Sequence, residues 1–266
     1  MDKSALIGRY AKTEEDKFVL ANILDKEAAR TNRSVLTGTK FMTEHWKTLG
    51  EAMLLETGAP FMTVGGYPDA ERCIFVFLPD YFEPEQIEAD PSLAGVTLLS
   101  VTPDKYFKEA ALTHRDYLGA LLALGIERDT LGDILVAEGA AQLICLSETA
   151  AVIQEQLTSV GRCKVYTQVI SAVTFQEHRW QEEIVNVSSL RLDAVVAAAF
   201  RISRSEAVQA IERELVTVSG VTVSKCSAML TEGDRLSLRG KGKVRYDGIV
   251  RETKKERLNI RLQRYL

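Results

Sequence analysis

The sequence lacks the features that identify secreted and membrane-spanning chains. Its four cysteines (Cys73, Cys145, Cys163 and Cys226) are far apart and form no CxxC pair. No segment approaches the roughly 20 apolar residues that cross a bilayer, and the N-terminal segment has no apolar stretch of signal-peptide length. These absences argue against a disulfide framework and predict a soluble, cytoplasmic protein with no membrane partner, whose cysteines are small buried side chains.

Motifs that mark the common classes of enzyme are also missing. The chain contains no GxSxG, no GxGxxG and no GxxxxGK[ST] sequence. Its three histidines, His45, His114 and His178, lie near no cysteine or paired acid along the chain, which argues against a zinc site or a Cys–His pair. We therefore expect a protein that is not an enzyme, with no catalytic residue, no metal and no cofactor.

Charge is distributed unevenly along the 266 residues. Residues 182–266 carry 16 Lys and Arg against 11 Asp and Glu, a net charge of +5, whereas the rest of the chain carries 17 against 26, a net charge of -9. The whole-chain net charge of -4 hides this contrast. A basic segment on an acidic body predicts a polyanionic partner at the C-terminal end.

The pattern of apolar and turn-forming residues predicts an α+β protein of three domains. Residues 1–70 are expected to be a helical N-terminal domain and residues 71–181 a ferredoxin-like (RRM-like) domain. In the second, the order from Val96 onward is strand, helix, strand, strand, helix, strand. Residues 182–266 form the third domain, with 181–190 as a linker or the start of a strand. Many unrelated proteins share the ferredoxin-like topology, so it says little about function.

Several aromatic residues have two possible roles. Phe75 and Phe77 lie on one side of a predicted strand, and Tyr166 lies on another. Such side chains are candidates for stacking on RNA bases, with core packing as the alternative, which is favoured for all three residues. Trp46 lies on an apolar helical face and is expected in the core.

The C-terminal segment contains a series of short motifs at characteristic spacing. They are Arg191-Leu192-Asp193, Ser203-Arg204-Ser205-Glu206-Ala207, Ile211, Leu215-Val216-Thr217-Val218-Ser219-Gly220 and Glu232-Gly233-Asp234. This series resembles the S4 RNA-binding domain, which implies an S4-type (αL) fold. Two positions depart from the pattern. Glu214 stands where glycine is common, and Ser219 replaces the asparagine of the hairpin turn.

Two basic features of this segment predict contacts with phosphate. A helix starting at Ser203 offers backbone N–H groups to an anion, and nearby arginines add charge-assisted bonds. Residues 239–245 alternate basic and small residues in a predicted loop. The alternatives are an Arg191–Asp193 ion pair, a solvated Arg204 and a solvated, flexible basic loop. The predicted RNA-binding residues are Arg191, Arg201, Ser203, Arg204, Ser205, Gln209, Lys225, Arg239, Lys241, Lys243 and Arg245.

The whole chain resembles the YlmH family of bacteria. The resemblance rests on the three-domain order, on Leu131-Gly132-Asp133-Ile134 and on Arg239-Gly240-Lys241-Gly242-Lys243 with Gly248 and residues 252–255 after it. It implies an RNA-binding protein of the large ribosomal subunit, with ribosomal RNA or tRNA as partner, acting in rescue of stalled ribosomes. It also implies a gene near cell-division genes. We expect the protein to be a monomer. An RNA-modifying enzyme with an S4 targeting domain and a cell-division adaptor that binds no RNA remain as alternatives.

Overall fold

A computed structural model describes residues 2–68, 70–107, 112–174, 180–253 and 257–265. Its contacts divide the chain into two compact units, residues 1–176 and 177–266. The domain boundaries expected at residues 70 and 181 remain predictions. Within the described ranges, every helix is too short or too polar to cross a bilayer.

The first part of unit one combines helices with a small antiparallel sheet. Its elements are α1 (Lys3–Tyr10), α2 (Glu14–Arg33), β1 (Thr37–Gly38), α3 (Glu44–Thr57), β2 (Met62–Val64), β3 (Ile74–Phe77) and α4 (Pro84–Ala89). Helix α2 begins at a reciprocal capping box, in which Thr13 and Asp16 each bond the other's backbone N–H. Strand β3 lies between β1 and β2 and is buried along its whole length. Phe75 and Phe77 are therefore core residues, as the favoured interpretation predicts, and they are not available for stacking on bases.

The second part of unit one follows the predicted element order. It contains β4 (Val96–Pro103), α5 (His114–Ala123), β5 (Leu131–Ala137), β6 (Ala140–Leu146), α6 (Ser147–Gln156), β7 (Ser159–Val160) and β8 (Cys163–Ile170). All strand pairs are antiparallel and the sheet order is β5-β6-β4-β8-β7. Helices α5 and α6 pack on one face through Tyr117, Leu121 and Ile153. Part of the other face packs against β3 in a shared core that includes Leu98 and Ile144.

Unit two is a six-stranded antiparallel sheet with two short helices on one face. It contains β9 (Trp180–Val187), α7 (Leu192–Ala199), α8 (Arg204–Glu212), β10 (Val216–Val218), β11 (Val221–Thr222), β12 (Arg235–Leu238), β13 (Gly242–Glu252) and β14 (Leu258–Tyr265). The order is β11-β10-β12-β13-β14-β9. Alternate strand residues such as Leu236, Val244 and Leu262 pack against α7 and α8 in one core. The residues between them form the outer face of the sheet.

Three local predictions need correction. Residues 181–190 are mainly the eight-residue strand β9, because β14 supplies hydrogen-bond partners along its whole length. Residues 239–246 are a tight hairpin turn followed by β13, not a flexible loop, because Gly240 and Gly242 take left-handed φ values of 80° and 99°. Trp46, which was expected in the core, is only half-buried, with its indole N–H bonded to Asp16.

Candidate nucleic-acid interface

The corner between α7 and α8 carries the predicted RNA-binding residues nearest the S4-type motifs. Helix α7 ends with Arg201 in the left-handed conformation (φ 53°), and the Ile202 N–H bonds back to the Ala197 carbonyl 3.1 Å away. Glycine is the usual residue at this position because it adopts such a φ without steric cost. An arginine here places an exposed guanidinium at the corner at the expense of backbone strain.

Helix α8 begins at Ser203, as the sequence predicts, but its first turn is partly occupied. The Ser203 hydroxyl accepts the Glu206 backbone N–H at 3.2 Å, and the Glu206 carboxylate accepts the Ser203 N–H at 2.7 Å. Hydrogen bonding of the Glu206 carboxylate to the Ser203 side chain and backbone, together with the charge of Lys241, lowers the pKa of Glu206. The helix start therefore has one N–H already bonded and an anionic side chain beside it, which weakens it as a phosphate site on its own.

A buried carboxylate holds two exposed arginines next to this helix start. Asp193 has a side chain only 5% exposed and accepts hydrogen bonds from Arg191 Nε at 3.1 Å and from Arg204 Nε and Nη2 at 3.1 and 3.0 Å. Burial opposes ionisation of Asp193, but the bonds from Arg191 and Arg204 outweigh it and lower its pKa. The predicted alternative for Arg191, an ion pair with Asp193, is confirmed.

The guanidinium groups of both arginines stay accessible to solvent although they bond Asp193. The side chains of Arg191 and Arg204 are 41% and 55% exposed. A guanidinium has five N–H donors, and Asp193 takes two of them from each arginine. The remaining donors of two oriented cations form a surface suited to phosphate oxygens. The ion pair and the predicted phosphate contact are therefore compatible.

A second acid–arginine cluster lies at the end of α7. Glu183 on β9 accepts bonds from Arg264 Nε at 3.2 Å and from Arg201 Nη2 at 3.1 Å, and Arg264 also donates to the Ala199 carbonyl. The bond from Arg264 is the main reason that the pKa of Glu183 is lowered. These side chains line a pocket of about 350 Å³ together with Lys241. Lys241, from the β12–β13 turn, is thus brought beside Arg201.

Three further predicted residues lie close to the corner. Lys225 is exposed in a loop whose Cys226 and Ala228 carbonyls accept the Asp193 and Leu192 N–H groups at 3.1 and 2.8 Å. That loop is therefore fixed to the start of α7. Ser205 and Gln209 are exposed on α8 with four-residue spacing, which places them on the same side of the helix.

Two basic residues of the predicted loop, Lys243 and Arg245, do not share this surface. Arg239 is exposed in the β12–β13 turn. Lys243 and Arg245 lie on β13, alternating with the buried Val244 and Tyr246, so they project from the outer face of the sheet. There Lys243 lies 5.4 Å from the Tyr265 ring centroid, and Arg245 bonds Asp247 at 3.2 Å. The predicted site is divided between the two faces of the sheet.

Sequence reasoning missed the acids that organise the corner. From the sequence, Asp193 is expected only as an ion-pair partner that competes with RNA for Arg191. The sequence predicts no role for Glu183 or Arg264. The two-residue spacing of Arg191 and Asp193 is a sequence signal that could have indicated an acid that orients the arginine. The Glu183–Arg264 pair could not have been found, because 81 residues separate its members. Among the described residues, no group of three or more His, Cys, Asp and Glu side chains could hold a metal ion.

Known protein families match part of each unit. Residues 190–236 match the S4 domain, and residues 95–174 match a family described as "Putative RNA-binding domain in YlmH". The Bacillus subtilis (strain 168) "Ribosome-associated protein quality control protein P2" is 35% identical over 202 residues, which are 75% of this chain and 76% of that protein. The chain belongs to the YlmH family. The predicted resemblance to this family and the predicted S4 domain are confirmed.

One solved structure is also similar to this YlmH-family chain. "Cell division protein ylmH from Streptococcus pneumoniae" is 23% identical, with a TM-score of 0.46, and the alignment covers 60% of this chain and 93% of that one. The S4 match contains the Arg191–Asp193–Arg204 cluster and Lys225 but ends before Arg239. The basic turn and β13 therefore lie beyond the matched part of the S4 domain.

Proposed function

We propose that this protein is a non-catalytic factor that binds ribosomal RNA on the large ribosomal subunit and acts in rescue of stalled ribosomes. Its relative from Bacillus subtilis is named a ribosome-associated quality-control protein, and two RNA-binding families match the chain. We further propose that it acts in the cytoplasm as a monomer, without a cofactor, and that tRNA is a second RNA partner.

The observation that carries this proposal is the arginine pair on Asp193. A buried acid orients two exposed guanidinium groups within the S4 match, and the adjoining corner adds Arg201 and Lys241. Oriented arginines bind phosphate with less loss of side-chain freedom than free ones, because their geometry is set before binding. Such a surface reads the backbone of a folded RNA rather than its bases.

Ribosome co-sedimentation of the full chain tests the proposal. The variant combines Arg204→Gln, whose amide can still donate to Asp193, with Lys241→Glu. We expect the apparent affinity for large subunits to fall by about tenfold or more, because two charged contacts are lost. Arg191 remains on Asp193, so the buried carboxylate keeps a cationic partner and the fold is preserved.

The control is Arg251→Glu, which reverses an exposed cation of the same unit on β13 and changes the net charge by -2, against -3 in the test variant. It should leave co-sedimentation close to wild type, and thermal unfolding should confirm that both variants are folded. Unchanged co-sedimentation of the Arg204→Gln, Lys241→Glu variant would contradict the proposal. An equal loss in the Arg251→Glu control would show that only the net charge matters.

A further inference from the structure

Unit one exposes two tyrosines at one end of its larger sheet. Tyr106, which follows β4, is 81% exposed, and Tyr166 on β8 is 53% exposed. A single carboxylate connects them. Asp104 accepts the Tyr106 backbone N–H at 3.1 Å with one oxygen and the Tyr166 hydroxyl at 2.9 Å with the other. Asp104 thus connects the Tyr166 hydroxyl to the backbone that carries Tyr106, so two exposed aromatic side chains lie at the same end of the sheet, where water contact with their rings is unfavourable.

A lysine accompanies each ring. Lys105 Nζ lies 5.1 Å from the Tyr106 ring centroid, and Lys164 Nζ lies 5.3 Å from that of Tyr166. Both distances fall within the range of cation–π contacts. Asp104 is the acid in direct contact with the patch, and its bonds to Tyr106 and Tyr166 lower its pKa. The patch therefore combines aromatic surface with cations in a part of the chain that is acidic as a whole.

The centre of the same sheet face cannot serve as a stacking surface. In RNA-recognition sheets the bases stack on aromatics of the sheet itself. Here the two central strands, β4 and β6, contain no aromatic residue. Their residues on this face are covered, since Leu98 and Ile144 pack against β3, and Gln142 bonds Thr174 at 2.7 and 2.9 Å. Among the residues that the structure describes on this face, an aromatic side chain is exposed only at its end, beside Thr102.

We propose that the patch formed by Lys105, Tyr106, Lys164 and Tyr166 binds single-stranded RNA by stacking bases on the two tyrosines. Every base presents a π-face, so binding of this kind tolerates different sequences. The lysine that accompanies each ring supplies a positive charge for the phosphate of a nucleotide whose base stacks on the ring, which gives the charge complementarity. This contact is separate from the arginine corner of unit two and extends the proposed RNA binding to unit one.

The test measures binding of a fluorescein-labelled single-stranded oligouridylate of about ten nucleotides to the full chain. The test variant is Tyr106→Leu with Tyr166→Leu, which keeps apolar side chains but removes the rings. The matched control is Tyr106→Phe with Tyr166→Phe, which keeps both rings and removes the bond to Asp104. We expect the leucine variant to lose about fivefold or more in affinity per ring and the phenylalanine variant to bind as wild type.

Salt dependence gives a second readout. The leucine variant removes no cation, so the slope of log affinity against log salt should stay unchanged. Replacing Lys105 and Lys164 by Gln should reduce that slope. An equal loss of affinity in the phenylalanine and leucine variants would overturn the proposal, because it would assign the effect to the hydroxyl groups. Wild-type affinity in the leucine variant would overturn it as well.

The same titration on the Arg204→Gln, Lys241→Glu chain separates this inference from the proposed function. If the tyrosine patch binds the oligouridylate, that chain keeps the wild-type affinity for it while losing ribosome co-sedimentation. Loss of oligouridylate binding in that chain would place the RNA on unit two and overturn the inference. A third outcome would refute the proposed arginine site but support the inference. In it, the Arg204→Gln, Lys241→Glu chain still co-sediments with ribosomes, while the leucine variant loses affinity for the oligouridylate.

Discussion

Asp193 shows how one buried residue organises an exposed surface. Its carboxylate is shielded from water, and it remains ionised because Arg191 and Arg204 both donate to it. Removing one arginine leaves the other, whereas removing both would leave a buried charge unpaired, at a cost of several kcal/mol. Variants that probe the RNA surface must therefore keep one cation on this acid.

Glu214 is a residue whose backbone conformation does not suit its side chain. It follows the end of α8 with φ 57°, and the Leu215 N–H bonds the Ala210 carbonyl at 3.0 Å, as in helix ends that normally carry glycine. We expect Glu214→Gly to raise the free energy of unfolding by roughly 0.5–1 kcal/mol, because the left-handed strain exceeds the entropy lost by glycine.

Chemical denaturation of Glu214→Gly and Glu214→Ala tests this prediction. Alanine removes the charge but keeps the Cβ atom, so it should not stabilise the protein. Equal stabilisation by both substitutions would show that the charge of Glu214, and not its conformation, is unfavourable.

At the scale of elements, the close packing of α3 against its neighbours depends on Gly50. A Cβ atom there would lie 2.5 Å from Phe75 Cε2 and 2.9 Å from Ile23 Cδ1, atoms of buried side chains on β3 and α2. Alanine favours a helix over glycine by about 1 kcal/mol, but overpacking a core costs about 1–3 kcal/mol. We therefore expect Gly50→Ala to lower the thermal stability despite the better helix propensity.

Gly119 in α5 supplies the matched control for Gly50. Nothing lies within 4 Å of a Cβ atom placed there. Gly119→Ala should therefore raise the midpoint of thermal unfolding by the helix-propensity gain alone. Stabilisation by both substitutions would contradict the tight contact at Gly50.

At the scale of the whole molecule, the net charge differs in sign between the C-terminal segment and the rest of the chain. The C-terminal segment is basic and the remainder acidic, so RNA binding through unit two is expected to weaken steeply with salt. Within unit two, the basic residues divide again. Arg204 and Lys241 lie at the α7–α8 corner, and Lys243 lies on the outer face of the sheet. A rigid RNA helix that docks on the corner should not reach that outer face.

The salt slope of structured-RNA binding distinguishes the two faces. We expect Arg204→Gln and Lys241→Gln each to reduce the slope of log affinity against log salt by about one, since each removes one phosphate contact. Lys243→Gln should leave the slope unchanged. An equal reduction with Lys243→Gln would show that RNA also contacts the outer face, as the sequence alone predicted.

The sequence by itself determined the S4 domain, the family and most elements, because these depend on local patterns. The cap at Ser203, the turn at Ser219-Gly220 and the alternation along β12 are all set by residues a few positions apart. Apolar spacing alone does not determine which side of α2 faces the core, where Leu20 and Ile23 are buried while Phe18 is exposed.

Only the tertiary structure decided which basic residues lie together. Lys241 and Lys243 are separated although one residue lies between them in the chain. Lys241 lies in the hairpin turn before β13, where Gly240 and Gly242 take positive φ values, whereas Lys243 lies on β13 and projects from the outer face. Pairing of β9 with β14 joins Glu183 to Arg264 across 81 residues, and packing of β3 covers the centre of the larger sheet. Such contacts depend on how distant segments meet, and no local pattern of residues records that.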